Sequence, residues 1–184
     1  MNPLSLIITT LLSIPSITAP TDMSSFDASA FAEPDTIRVD SDEGQRRIEA
    51  VATVLDDKLS SRDRRYLGSK VLSKSRVTIA KGKFPGGADT LVTVNVNLRK
   101  KTEEDPQKYI SGVFTLDSGG SLGAIIVPLQ TRTERFDLEA VGDVDGDGAA
   151  DALVTESGDV KSAMHVYAWD GSKSVDHAVT ATSS

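Results

Sequence analysis

The sequence predicts a mainly β fold with one amphipathic helix near the N-terminus. Aromatic residues make up only 5% of the chain, whereas Thr, Val, Ser, Gly and Asp are abundant, a composition typical of strands joined by many turns. From residue 70 onwards, apolar and polar residues alternate in short stretches separated by Gly, Asp and Pro. A chain of 184 residues suits one domain with a sizeable core. We therefore expect one to two antiparallel four-stranded sheets within residues 70–180.

The first 32 residues have the pattern of an export signal. Leu4 to Ile17 is an uncharged apolar stretch, and Ala30-Phe31-Ala32 places small residues at the spacing that a signal peptidase recognises. The stretch is shorter than the roughly 20 apolar residues of a membrane anchor and contains a proline, which favours cleavage over anchoring. Because the first basic residue is Arg38, a start at Met23 remains an alternative. We expect a secreted or periplasmic protein without a stable membrane span.

A flexible lead and then a helix are predicted next. Residues 33–42 are polar and poor in large apolar groups, which is typical of a flexible segment. A helix is expected at 43–60, with Ser41 or Asp42 as its N-cap. Its apolar residues recur at helical spacing and should pack on the rest of the domain. These residues are Ile48, Val51, Ala52, Leu55 and Leu59.

Eight short strands are predicted after the helix. The run Ile125-Ile126-Val127 is continuously apolar, so we expect its strand to be buried on both faces. The pair Asp170-Gly171 between two strands indicates a tight hairpin turn. The predicted strands are 76–84, 90–98, 109–116, 122–129, 136–141, 152–155, 163–169 and 175–179.

Charge and cysteine content exclude several classes of function. A formal net charge of −7 argues against nucleic acid as a partner, because an acidic surface repels phosphate. The basic runs at 62–65 and 99–101 have acidic residues close by and are interpreted as solvated turns. With no cysteine, the chain has no disulfide, thiolate metal site or cysteine nucleophile.

Four carboxylates lie close together between two predicted strands, at Asp143, Asp145, Asp147 and Asp151. Like charges confined to one glycine-rich loop repel each other, and a bound hard cation removes that repulsion. Oxygen ligands without a nearby His or Cys favour Ca²⁺ over Zn²⁺, and Mg²⁺ prefers fewer protein ligands. The alternative is a hydrated Asp/Gly turn that binds nothing.

The spacing of these residues excludes an EF-hand. That loop needs a carboxylate at its twelfth position and a helix beside it. Counting from Asp143, the twelfth residue is Val154, and the segments on both sides have strand patterns.

The segment Val141-Gly-Asp-Val-Asp-Gly-Asp-Gly-Ala-Ala-Asp-Ala-Leu-Val154, followed by Val166-Tyr-Ala-Trp-Asp-Gly171, resembles an FG-GAP or VCBS-type repeat over residues 136–175. Such repeats build calcium-binding blades of integrin-α-like β-propellers. The resemblance implies blade-like sheets and a left-handed conformation at Gly148. Since the chain has one complete acidic loop, we expect a partial, propeller-like arrangement and not a closed ring. The Ca²⁺ ligands that the resemblance implies are the side chains of Asp143, Asp145, Asp147 and Asp151 and the backbone carbonyl of Ala149.

No catalytic site is predicted. His165 and His177 are interpreted as ordinary strand or tail residues, because neither has an evident nucleophile. Tyr167 and Trp169 share a strand face and are expected to pack in the core. The acidic residues Glu134, Asp137 and Glu139 are interpreted as surface groups.

The expected function is therefore that of an exported, non-enzymatic calcium-binding domain. It would bind or scaffold an extracellular or periplasmic protein or glycan, whose identity the sequence does not indicate. The alternative is a small secreted hydrolase or a hydrolase accessory module.

Overall fold

The computed structural model describes residues 27–61, 75–98, 100, 102–158, 162–169 and 174–179. Several predictions lie outside the described residues. They are the export signal up to residue 26, the basic run at 62–65, Arg99 and Lys101 of the second basic run, the turn Asp170-Gly171 and the side chain of His177.

Helix α1 spans Asp42–Lys58, close to the predicted 43–60. Ser41 is its N-cap: the hydroxyl oxygen of Ser41 accepts a hydrogen bond of 3.0 Å from the backbone N–H of Gly44. Asp42 and Glu43 stand in the first turn, where the helix dipole favours negative charge. Among the described residues, no helix has both the length and the apolar character needed to cross a membrane.

Within the described residues, eight strands form two four-stranded antiparallel sheets, in each of which strands that follow one another in the chain are neighbours. All eight strands were predicted, and the mainly β fold, with one α-helix bounded within the described residues, is confirmed. Sheet I contains β1 (Ser75–Lys81), β2 (Ala88–Asn97), β3 (Tyr109–Asp117) and β4 (Leu122–Arg132). Sheet II contains β5 (Arg135–Gly142), β6 (Asp151–Ser157), β7 (Ser162–Trp169) and β8 (Ser174–Val179).

Sheet I is the middle of three layers. Helix α1 packs on one face of it, and sheet II packs on the other. The core under the helix joins Val51 and Leu55 to Val92 and Phe114, whereas the core between the sheets contains Leu91 of sheet I and Trp169 of sheet II. The inner strands β2 and β3 are therefore buried on both faces.

The prediction that the strand containing Ile125-Ile126-Val127 is buried on both faces is wrong. This strand, β4, is the last in the order of sheet I, and Ile125 is 42% exposed. Only Val127 of the three is buried. An apolar run does not encode whether a strand is central or at an edge, and here the alternating strand β2 is a central one.

The predicted flexible lead, residues 33–42, is hydrogen-bonded to the edge of sheet I, and the residues just before it are hydrogen-bonded to the edge of sheet II. We call residues 27–37 the N-terminal strap. Its Ala32 exchanges two backbone hydrogen bonds with Val141 of β5, at 3.0 and 3.1 Å. Further along, the N–H of Ile37 donates to the carbonyl of Ile79 in β1 at 2.8 Å. The strap thus satisfies edge groups through its backbone, which a composition of polar side chains does not reveal.

Candidate metal centre

The acidic loop connects β5 to β6, as predicted. Gly142 at the end of β5 lies opposite Asp151 at the start of β6, so residues 143–150 form the connection of an antiparallel hairpin. The flanking strands agree with the exclusion of an EF-hand, whose loop needs a helical neighbour.

Three of the four predicted carboxylate ligands come together in the structure. Asp143, Asp145 and Asp151 each offer a carboxylate oxygen, and these oxygens lie within 4.8 Å of one another. Such a cluster could hold a metal ion. Without a cation or a proton, three negative charges at this separation repel one another.

The carboxylate of Asp143 accepts two hydrogen bonds from the backbone of the loop. Its Oδ1 accepts from the backbone N–H of Gly146 at 2.8 Å, and its Oδ2 accepts from that of Gly148 at 2.9 Å. Both glycines have positive φ angles, 78° and 83°, which confirms the left-handed conformation predicted for Gly148. Since a Cβ would meet no atom within 4 Å at either position, backbone conformation and not space requires glycine.

Asp147 lies outside the three-carboxylate cluster. Its backbone N–H donates to Oδ1 of Asp145 at 3.1 Å, and its own Oδ1 accepts from the N–H of Ala149 at 2.7 Å. Asp147 thus shapes the last part of the loop. Its role as a ligand, and that of the Ala149 carbonyl, stay predictions.

Asp151 differs from the other loop carboxylates because it is completely buried. Its Oδ2 accepts from the N–H of Val144 at 2.8 Å, but its Oδ1 has no hydrogen-bond partner within the part of the chain that the structure describes. Burial raises the pKa of Asp151 to about 7, and repulsion by Asp145, Asp147 and Asp143 adds to this effect. A cation in the cluster would satisfy the free oxygen and offset the repulsion, so the residues fit a metal ion.

The end of the loop is fastened to both sheets. The N–H of Ala150 donates to the carbonyl of Lys83, in the β1–β2 connection, at 2.8 Å. The indole N–H of Trp169, in β7, donates to the carbonyl of Ala150 at 2.9 Å. Trp169 and Tyr167 are both buried between the sheets, which confirms their predicted packing role. These contacts position Asp151 without using its side chain.

A groove borders the loop on the side of the β1–β2 connection. It has a volume of about 510 Å³ and lies between residues 82–89 and residues 147–149. Asp143, Asp145 and Asp147 are exposed, so the acidic loop is open to ions from solvent, whereas Asp151 is buried.

His165 belongs to a charged network that the sequence did not predict. Its Nδ1 lies 2.9 Å from Oδ1 of Asp176 in β8, and its Nε2 lies 2.9 Å from Oε2 of Glu156 in β6. The ring also stacks on Tyr167, with centroids 5.8 Å apart. Burial raises the pKa of Tyr167, and Asp176 and Glu156 reinforce this shift. Because both imidazole nitrogens contact carboxylates, neither is free to activate a nucleophile in this arrangement.

Two of the remaining acidic candidates, Asp137 and Glu134, make local contacts. Asp137 forms an ion pair of 3.0 Å with Nε of Arg135, and Glu134 accepts a hydrogen bond of 3.0 Å from the hydroxyl of Thr133. Both contacts involve near neighbours in the chain and point to local structural roles.

No protein-family profile, curated protein or solved structure matches this chain. The resemblance to FG-GAP and VCBS-type repeats therefore rests on the residues of the loop and its flanking strands.

Proposed function

We propose that this chain is an exported calcium-binding β domain of the FG-GAP or VCBS type, with a non-enzymatic role in binding or scaffolding. The observation that carries the proposal is the burial of Asp151 together with its incomplete hydrogen bonding. Its carboxylate is completely buried, one of its oxygens lacks a hydrogen-bond partner among the described residues, and it belongs to a cluster of three carboxylates within 4.8 Å. A cation is the simplest partner for that oxygen.

The chemistry of the loop favours Ca²⁺ among common cations. The available ligands are carboxylate and carbonyl oxygens, which suit hard cations. Ca²⁺ takes about six to eight oxygens in flexible geometry, which carboxylates, the Ala149 carbonyl and water could together supply. Mg²⁺ requires a stricter octahedron and retains more of its water.

The ion would act by fixing the loop. Asp143 and Asp145 precede the turn and Asp151 follows it, so one ion bound to all three closes the hairpin. An ion that binds only the folded chain stabilises it by about 2.7 kcal/mol at a concentration one hundred times its Kd. A rigid loop of this kind can present the neighbouring surface to an extracellular or periplasmic protein or glycan.

Calorimetric titration of the full chain with Ca²⁺ and, separately, with Mg²⁺ tests the proposal. We expect one Ca²⁺ per chain, weaker Mg²⁺ binding, and loss of Ca²⁺ binding in Asp151→Asn. Asp137→Asn is the matched control, because it makes the same charge change in sheet II outside the loop. Absence of Ca²⁺ binding to the folded wild-type chain would refute the calcium role.

A further inference from the structure

The first part of the N-terminal strap covers the outer face of sheet II. Ala30 and Phe31 pack against a small apolar core of sheet II and the acidic loop, and the backbone of Ala32 pairs with Val141. This stretch contains Ala30-Phe31-Ala32, the segment whose spacing predicts processing by a peptidase. The core that it covers consists of Ala140, Val144, Leu153 and Val166.

Val144 connects this strap directly to the acidic loop. It stands between Asp143 and Asp145, and its N–H donates to the buried Asp151 at 2.8 Å. Its carbonyl accepts from the N–H of Asp27 in the strap, also at 2.8 Å. Its side chain is 2% exposed and belongs to the core that contacts Phe31. Val144 therefore contacts the carboxylate of Asp151 through its backbone N–H and the strap through its backbone carbonyl.

We propose that the acidic loop gates proteolysis of the N-terminal strap in the uncleaved chain: an ion in the loop holds the strap on β5 and protects Ala30-Phe31-Ala32 from cleavage. The inference rests on the proposed metal function and adds a consequence for the N-terminus. A protease must draw several residues into an extended conformation, which requires the strap to leave β5 and the small core. Cleavage adds one water across the amide bond, leaving a carboxylate on one fragment and an amine on the other.

The position of Gly142 offers a way to detach the strap without removing a carboxylate. A Cβ at this position would lie 2.2 Å from the carbonyl oxygen of Ala30, a backbone atom that has to move. The φ angle of Gly142 is outside the positive range that strains an alanine. Gly142→Ala should therefore displace the strap and leave Asp143, Asp145 and Asp151 in place.

Limited proteolysis by chymotrypsin, which cuts after Phe31, tests the proposal on the full chain. The rate of this cut is measured by mass spectrometry with Ca²⁺ and with a chelator, and Ca²⁺ binding is measured in parallel by calorimetry. We expect Ca²⁺ to slow the cut by at least about fivefold, the lower end of typical couplings between sites. Asp143→Asn should be cut at the same rate under both conditions.

Gly142→Ala should be cut rapidly with or without Ca²⁺ and should still bind the ion. Because coupling is reciprocal, its Ca²⁺ affinity should fall by up to the factor by which Ca²⁺ protects the wild type. Gly119→Ala, in the exposed β3–β4 turn, is the matched control and should behave as the wild type. Asp143→Asn, measured with Ca²⁺ and with chelator, reports the effect of Ca²⁺ on the protease itself, and the wild-type rates are divided by it.

The outcomes separate this inference from the proposed function. If the wild type binds Ca²⁺ but is cut after Phe31 equally fast with and without it, the gating is wrong and the calcium role stands. If the folded wild type binds no Ca²⁺, both fail. The comparison between the two conditions uses the wild type, so the test remains decisive even if Gly142→Ala fails to fold.

Discussion

The backbone N–H of Val144 donates a hydrogen bond of 2.8 Å to Oδ2 of Asp151 across the β5–β6 loop. This bond fixes the buried carboxylate and leaves its other oxygen without a partner among the described residues. Asp143 and Asp145, by comparison, are exposed to solvent. Burial and a free oxygen therefore distinguish Asp151 from the other predicted ligands. The spacing of the four acids does not show this difference.

The first prediction concerns thermal stability. Saturating Ca²⁺ should raise the melting temperature of the wild type by about 5–15 °C, because about 2–4 kcal/mol of binding free energy is added to the folded state. Asp151→Asn should abolish the rise, since an amide at this buried position removes the charge and brings an N–H group towards the ion. Differential scanning calorimetry with Ca²⁺ and with a chelator measures both effects.

Asp147→Asn tests the order of importance within the loop. Asp147 accepts the N–H of Ala149 but lies outside the three-carboxylate cluster, so its substitution should reduce the rise in melting temperature less than Asp151→Asn does. An equal loss in the two variants would contradict this ranking and would make Asp147 an equal ligand.

The second prediction concerns the pH dependence of the metal-free protein. The pKa of Asp151 is raised from 3.8 to about 7 in the folded chain, so folding favours its protonated form. Its contribution to stability is fully present below pH 3.8 and is lost as the pH rises through about 7. In chelator, raising the pH from 5 to 8 should therefore lower the melting temperature more in the wild type than in Asp151→Asn.

Saturating Ca²⁺ supplies the control for this pH experiment. The ion binds the ionised carboxylate, so its stabilising effect should grow as the pH rises over the same interval. If the wild type and Asp151→Asn have the same pH dependence in chelator, Asp151 does not titrate as predicted.

The local elements of this fold could be predicted from the sequence, but their burial could not. Alternation and turn residues located all eight strands, and the N-cap at Ser41 was among the predicted alternatives, because these signals depend on near neighbours. Which strand is covered on both faces depends on the other layers. Hence Ile125, in an apolar run, is 42% exposed, whereas Thr93, in an alternating one, is 1% exposed.

The same distinction holds for the site. The clustering of the loop carboxylates follows from their spacing within ten residues, and the left-handed Gly148 follows from the resemblance of that segment to a known repeat; both are local patterns. The burial of Asp151 requires the register of β5 and β6, and the cover over Val144 comes from the strap. Residues 33–37 of the strap belong to the segment predicted to be flexible from its polar composition, and residues 27–32 belong to the predicted cleavage region. Backbone hydrogen bonds attach both parts to the sheet edges.

The third prediction concerns the contact between the two sheets. The side chain of Asn95 in β2 donates to the carbonyl of Phe136 at 2.8 Å, and its Oδ1 accepts from the N–H of Phe136 at 2.9 Å. All these groups are buried, so Asn95→Ala leaves two backbone groups of β5 without partners. We expect a loss of about 2–4 kcal/mol in the free energy of unfolding, measured with urea.

Asn97→Ala is the matched control for this substitution. Asn97 is exposed at the end of the same strand, so its replacement should change stability by less than about 0.5 kcal/mol. Similar losses in the two variants would mean that the Asn95–Phe136 pair does not join the sheets.

The fourth prediction concerns the His165 network, which links three strands of sheet II. His165 is 9% exposed and contacts Glu156 on one side and Asp176 on the other. His165→Ala therefore leaves these two carboxylates near each other without the imidazole that both contact. We expect a loss of about 1–3 kcal/mol at neutral pH, smaller than for a fully buried pair because both carboxylates are partly exposed. Urea unfolding of His165→Ala, Asp176→Asn and the double variant measures the coupling, and additive losses would show that the β7–β8 contact contributes no specific interaction.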